Sequence, residues 1–298
     1  MAVEIYDSDT GTVVAGDTIS GSALDIGGAN RFLIAFVMFN NNYVEPIVQS
    51  ITIDGNSLTK RGDVQLTDDS RVEIWSYSNP ATGTGVSWSV VFDPAIPSRY
   101  GGGAYVACLT GVDIAGTPYG TFAESSGNGT APYELTVNGA TDDMYFGAMA
   151  MEATWELSIY SGNPATKLWN YTDSRQSSGI VANRSPSATS FIFQIDGDPD
   201  HWAFGGIAIK PLGITYKLEG ISKDKNGDVL VSCKCYLFKD NQDDTLTYKD
   251  YALSDAGSGA YSFTGISDDD AQYIVVVWKD NTPHVFDTTD HVLQPVEE

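Results

Sequence analysis

The side chains best suited to chemistry in this chain are carboxylates. Asp196, Asp198 and Asp200 alternate in DGDPD (196–200), a turn-forming stretch. Hard oxygens clustered in a loop suit Ca2+, so these three are the candidate metal ligands. Asp224, Asn226 and Asp228 in DKNGD (224–228) repeat the spacing, without the glutamate that closes an EF-hand loop. SDDD (267–270) is a third acidic cluster. Asp, Asn and Gly also simply make turns, which is the commoner use of such clusters. Glu73 and Glu152 lie on expected strands, each near an aromatic, Trp75 and Trp155. They are the best pair for glycoside hydrolysis, which needs two carboxyl groups about 5 to 9 Å apart. Carboxylates on strand surfaces are common without catalysis, and the compact E-x-D-x-x-E pattern of a large hydrolase family is missing. His201, His284 and His291 are the only histidines, and no Ser-His-Asp grouping follows from their positions. Nucleophile-elbow, P-loop, Rossmann and HExxH patterns are absent. GGGAY (101–105) runs into a strand, not a helix N-terminus, so it reads as a turn and not a phosphate cradle. The expectation is a protein without catalytic residues, with calcium as the one cofactor to consider.

The elements that carry these residues follow from composition and periodicity. The chain has 298 residues, with 30 glycines and few of the long charged residues that coat helices. The net charge is −23, which disfavours nucleic acid and anionic membranes as partners. Three cysteines make no disulfide framework. Cys233 and Cys235 point the same way on an expected strand, about 7 Å apart, too far for an easy bridge. Cys108 reads as core. The start of the chain shows no basic, apolar leader, and no apolar run reaches the length of a membrane helix. At face value this predicts synthesis in a host cytoplasm and a soluble product.

Strand signals recur along the chain. RFLIAFVMF (31–39) is continuously apolar, as a central strand is. VQSITIDG (48–55) ends on Asp54-Gly55, a tight-turn pair, and NSLTKRG (56–62) follows as its hairpin partner. RVEIWSYS (71–78) alternates, with Val72, Ile74 and Ser76 on one face and Glu73, Trp75 and Tyr77 on the other. Some aromatics, such as Trp75, Tyr77 and Trp88, could line an outer face or groove, although core packing is the commoner use. No stretch shows a capped helical period. The expectation is all-β, in two domains: a large β-sandwich over 1–212 and a small immunoglobulin-like sandwich over 213–298.

Two resemblances sharpen this. LEGISKDKNGDVLVSCKCYLF (218–238) followed by LSDAGSGAYSFTGI (253–266) resembles the carboxypeptidase-regulatory-like, or transthyretin-like, immunoglobulin fold. Gly227 and Gly257 stand where its turns need positive φ. VQSITIDGNSLT (48–59), RVEIWSYSNPATGTG (71–85) and CLTGVDIAGTP (108–118) resemble a jelly-roll or concanavalin-like domain of phage structural proteins. Together they imply a virion accessory protein: a capsid decoration protein, head fibre or tail appendage. Such a protein binds the major capsid protein or another virion protein, can self-associate, and resides on the particle. The alternatives are a carbohydrate-binding or adhesive module pair and, third, a glycoside hydrolase.

Overall fold

A computed structural model of the chain describes residues 2–40, 46–66, 70–96, 101–129, 133–140, 142–152, 156–172, 176–184, 188–194, 201–213, 216–223, 227–240, 246–266, 272–278 and 296–297. The described residues are all-β. No helix among them is long and apolar enough to cross a membrane. The chain divides into two compact units, Met1–Leu212 and Gly213–Glu298.

The first unit opens with nine strands: β1 (Glu4–Val13), β2 (Gly16–Ile26), β3 (Phe32–Asn40), β4 (Ile47–Ile53), β5 (Asn56–Ser57), β6 (Thr59–Gln65), β7 (Ser70–Ser78), β8 (Gly83–Ile96) and β9 (Gly102–Thr110). Their pairing is nested. β4 pairs with β5, β3 with β7, β2 with β8 and β1 with β9, all antiparallel. The result is a long hairpin folded over on itself into two sheets, β1-β9-β3-β7-β6 and β2-β8-β4-β5. That is jelly-roll topology with one added strand, β6. The innermost hairpin turns at Asp54-Gly55, where both φ angles are positive (49° and 74°), as a two-residue primed turn requires. The hairpin lasts only two residues. The chain then crosses at Leu58 into the other sheet.

The same plan recurs. β10 (Ala123–Gly127), β11 (Tyr133–Asn138), β12 (Met144–Met151), β13 (Ser158–Ile159), β14 (Thr166–Thr172), β15 (Ser177–Arg184), β16 (Ala188–Gln194) and β17 (Trp202–Ile209) form sheets β10-β17-β12-β15-β14 and β11-β16-β13. Set β10 against β1, β12 against β3, β14 against β6 and so on to β17 against β9, and both strand orders coincide. Only the short counterpart of β5 is missing. The sequence reading treats 1–212 as one sandwich, whereas this span holds two jelly rolls of one topology in tandem.

Three apolar cores explain the arrangement. Leu33, Ala35, Val37 and Phe39 of β3 pack with Ile19, Ile51, Trp88 and Val90 inside the first roll. Tyr133, Val137, Met149, Phe191, Phe193 and Phe204 fill the second. A third core joins the rolls. Phe32, Ile34, Phe36 and Met38 of β3, with Val72 and Ile74 of β7, meet Phe146, Ala148, Ala150, Ile180 and Ile207 of the second roll. Phe36 and Phe146 lie 5.5 Å apart, centroid to centroid. Four sheets therefore stack in sequence, and the two inner ones are buried on both faces. This is why β3 and β12 carry no alternation: all nine residues of β3 and all eight of β12 are buried. The outer faces are hydroxyl-rich. Thr52 and Ser89 share a cross-strand hydrogen bond of 3.0 Å in the first roll, and Thr136 and Ser190 another of 3.0 Å in the second.

In the second unit, β18 (Tyr216–Ile221), β21 (Ala260–Ile266) and β23 (Val296–Glu297) make one sheet. β19 (Lys234–Asp240), β20 (Leu246–Leu253) and β22 (Gln272–Trp278) make the other. The core between them is Cys233, Cys235, Leu237, Phe263 and Val277. All three cysteines of the chain are free and buried. Burial pushes the Cys235 thiol up to about 11, with the neighbouring Cys233 adding to the effect. Gly227 takes the expected positive φ (87°), but in the second turn Gly259 (65°), not Gly257, supplies it.

The stacking predicts that Phe146→Ala destabilises the first unit by about 3–5 kcal/mol, the cost of emptying a buried aromatic site. Glu134→Ala, on the exposed face of the outermost sheet, should stay within about 0.5 kcal/mol. Urea denaturation of both variants measures the contrast, and a near-neutral Phe146→Ala would mean that the two inner sheets do not meet.

Candidate functional site

The best catalytic candidate, Glu73, sits in the middle of β7 and is wholly buried. It pairs in register with Val37, whose side chain belongs to the core of the first roll. Glu73 therefore faces into that core. Its Oε2 accepts the Trp75 indole N–H at 3.0 Å, and its Oε1 accepts the Val48 backbone N–H at 3.4 Å. The second bond crosses the sandwich from one sheet to the other. It lands where β4 bulges, since register with β8 slips between Val48 and Ser50. A carboxylate from the facing sheet thus serves an amide at the irregularity.

Cations surround this carboxylate. Arg71 Nε lies 2.9 Å from Oε1, although off the line of its N–H, and Lys60 Nζ lies 3.9 Å from Oε2. The guanidinium is itself held by Asp63 Oδ2 (2.8 Å) and Gln65 Oε1 (2.9 Å) of β6. Burial raises the Glu73 pKa. The charges of Arg71 and Lys60 and the two hydrogen bonds oppose the rise without cancelling it.

Glu152 is elsewhere. It follows β12 in the second roll, its N–H bonded to the His201 carbonyl at 2.9 Å and its Oε2 3.5 Å from His201 Nδ1. The sheet that carries Glu73 turns that residue away from the second roll, so the two carboxyls do not face one another. Trp155 lies outside the described residues, as do His284 and His291. Trp75 and Trp88, considered above for an outer face, point inward instead: both are buried in the first roll, with Tyr77 packed against them. The Trp88 indole N–H donates to Asp9 Oδ2 at 2.8 Å.

The candidate calcium ligands Asp196, Asp198 and Asp200 lie outside the described residues, as do Asp224, Asn226 and SDDD (267–270). Asp228 is described and exposed. Among the described residues no group of three His, Cys, Asp or Glu side chains is placed to hold a metal ion.

Among the described residues, two concave surfaces stand out. In the second unit a cleft of about 680 Å³ lies between β20 and β21, lined by Ile221, Ala252, Leu253 and Tyr261. Its one carboxylate, Asp255, is occupied by its own turn, accepting Gly257 N–H (2.9 Å), Ser258 N–H (2.7 Å) and the Ser258 hydroxyl (2.8 Å). Those bonds hold its pKa below the usual carboxylate range. In the second jelly roll a groove of about 440 Å³ opens between the turn after β13 and the end of β15. Tyr160, Asn163, Asn183 and Thr189 line it, and no described lining residue is charged. Sequence reasoning passed over this groove because its residues are ordinary turn formers, far apart along the chain.

No protein-family model matches this sequence, and no curated protein matches it. Among solved structures, the pilus backbone protein RrgB of Streptococcus pneumoniae is weakly similar. One structure of it aligns at 10% identity over 95% of this chain and 86% of that one, with a TM-score of 0.22. Two full-length structures align at 9% identity, covering 63% and 64% of those chains, with TM-scores of 0.22 and 0.21.

The raised pKa of Glu73 carries a sign. Between the ordinary carboxylate value of 4.5 and the raised value, the folded chain keeps a proton that the unfolded chain has released. This contribution to stability is complete below about pH 4.5 and is lost as pH climbs through the folded pKa. Relative to Glu73→Gln, the native protein should therefore lose stability as pH rises from about 4.5, and the difference should then level off. Urea midpoints of both proteins from about pH 4 to 8 test this. A difference that moves the other way would mean that Arg71 and Lys60 outweigh burial.

Proposed function

We propose that this chain is a non-catalytic structural component of an extracellular assembly, and in its most specific form an accessory protein of a bacteriophage particle. It would decorate the capsid or build a head fibre or appendage, bound to the major capsid protein or another virion protein. The observation that carries this reading is the doubled jelly roll. Two rolls share one buried interface and pair hydroxyl-bearing residues across their outward strands, which suits a rigid brick better than a reaction vessel. Jelly rolls recur in viral shells and in lectins, so the architecture supports the reading by analogy.

The polar groups agree with it. Glu73 has both oxygens engaged, Oε1 across the sandwich to Val48 and Oε2 by Trp75 of its own strand. A net charge of −23 opposes binding to nucleic acid and to anionic membranes, and it keeps a densely displayed protein soluble. The small second sandwich is of a size that serves as a projecting or cementing module. Self-association of the chain on the particle fits the same picture.

Antibodies to the purified chain, used for immunogold microscopy on particles and cells from the encoding source, test the proposal. Regular labelling of particles, with the chain co-sedimenting at constant stoichiometry, is the expected result. Labelling confined to the soluble cell fraction would overturn it.

A further inference from the structure

We infer that the groove at Tyr160 is a binding site for a neutral carbohydrate. The inference goes beyond the particle reading and does not depend on it.

The site is built on a fixed turn. Tyr160 to Asn163 form a reverse turn, with Asn163 N–H donating to the Tyr160 carbonyl at 3.0 Å. Gly162 in its third position has φ +90°, with nothing near the place a Cβ would occupy. The turn is tied to β16 from both ends. Tyr160 N–H donates to the Ile192 carbonyl at 2.9 Å, and Asn163 Nδ2 donates to the Ser190 carbonyl at 2.7 Å. Asn163 Oδ1 then accepts the Ala165 N–H at 3.1 Å. Asn163 is thus spent on rigidity, and what it makes rigid is Tyr160. That ring is 45% exposed, a large apolar surface left in water on a preorganised support.

The opposite wall supplies polar atoms. Asn183, at the end of β15, lines the groove and donates through Nδ2 to Thr189 Oγ1 at 2.8 Å, which fixes its amide plane. The Tyr160 hydroxyl adds a donor. An aromatic face beside fixed amide and hydroxyl groups matches the two faces of a sugar ring. Its C–H side packs on the aromatic, and its hydroxyls meet acceptors and donors.

Charge selects among polar ligands. No described lining residue is charged. An anion would find no cation here and would approach a chain of net charge −23. A cation would find no carboxylate in the lining. A neutral, hydroxyl-rich ligand escapes both costs. The volume of about 440 Å³ falls in the usual small-ligand range and has room for about one or two sugar rings.

Saturation-transfer NMR on the full chain, with maltose, cellobiose, lactose and N,N′-diacetylchitobiose as probes and sialyllactose as the charged comparator, tests the site. The expected result is transfer from at least one neutral disaccharide, with a dissociation constant of about 1 mM or tighter. Tyr160→Ala and Asn183→Ala should each weaken binding about tenfold or more, a loss of about 1.4 kcal/mol. Tyr160→Phe should keep most of it. Tyr248→Ala, which removes an equally exposed tyrosine of the second unit, should change nothing. Each variant is compared at an unchanged thermal midpoint. No transfer from any neutral sugar at about 10 mM, equal binding by Tyr160→Ala, or a preference for sialyllactose would overturn the inference. Particle labelling reads separately, so either result can fail while the other stands.

Discussion

The first unit depends on one constraint: two sheets must be buried on both faces at once. An ordinary sandwich sheet shows one side to its core and the other to water. Here β3 and β12 each lie in the middle of a sheet with an apolar core on either side. Apart from the terminal Asn40 of β3, every residue along them is apolar, aromatic or small. The close-packed interface between the rolls then governs what the edges can do. Trp169 of β14 reaches across the interface, and its ring edge lies where a Cβ at Gly103 would stand, 2.4 Å away. Phe122 does the same between Gly62 and Gly205, at 2.3 and 3.0 Å. Glycine at these places lets an aromatic from one roll lie on the backbone of the other.

Much of this was legible in the residues, and the limits have physical causes. The continuous apolar run at 31–39 marks β3 as central, and alternation in RVEIWSYS assigns the faces of β7 correctly: Val72 and Ile74 to one core, Trp75 and Tyr77 to the other. What periodicity cannot say is that the second face is covered by another sheet rather than by water. The duplication stayed hidden for a related reason. RFLIAFVMF and MYFGAMAM do the same job in equivalent strands with different residues, because burial on both faces specifies apolarity and volume, not identity. Pairing, not sequence, carries the repeat.

The candidate site was legible only in part. Glu73 stands out in the sequence as a carboxylate beside a tryptophan, and the two do touch. Direction decides its role. A strand carboxylate has two faces to choose from, and Glu73 takes the inner one, where it closes a bulge in the opposite sheet. The Tyr160 groove shows the converse. Tyr160, in the turn after β13, and Asn183, on β15, lie 23 positions apart, and their meeting depends on how β13, β15 and β16 are placed. Turn chemistry at Gly162 is readable from sequence, but convergence is not.

Polar groups in the first roll work mainly as stitches between sheets, and this bears on what the outer surface is free to do. Asp9 Oδ2 accepts both the Trp88 indole N–H (2.8 Å) and the Ala23 N–H (3.1 Å), and Asp7 Oδ2 accepts the Asp25 N–H at 2.6 Å. Asp25 Oδ1 in turn accepts the Gly85 N–H at 2.7 Å. These carboxylates tie β1 to the facing sheet along the edge where a sandwich would otherwise open. With Glu73 closing a bulge inside the same roll, the sheets are held by hydrogen bonds to carboxylates, and the roll's one cysteine, Cys108, is free and buried in its core. The flat outer faces are then relieved of structural duty. On them Thr52 pairs with Ser89 and Thr136 with Ser190 across strands, beside exposed carboxylates such as Glu134. A partner that meets those faces meets hydroxyl pairs already fixed by cross-strand hydrogen bonds, with the charge of the chain carried at separate positions such as Glu134.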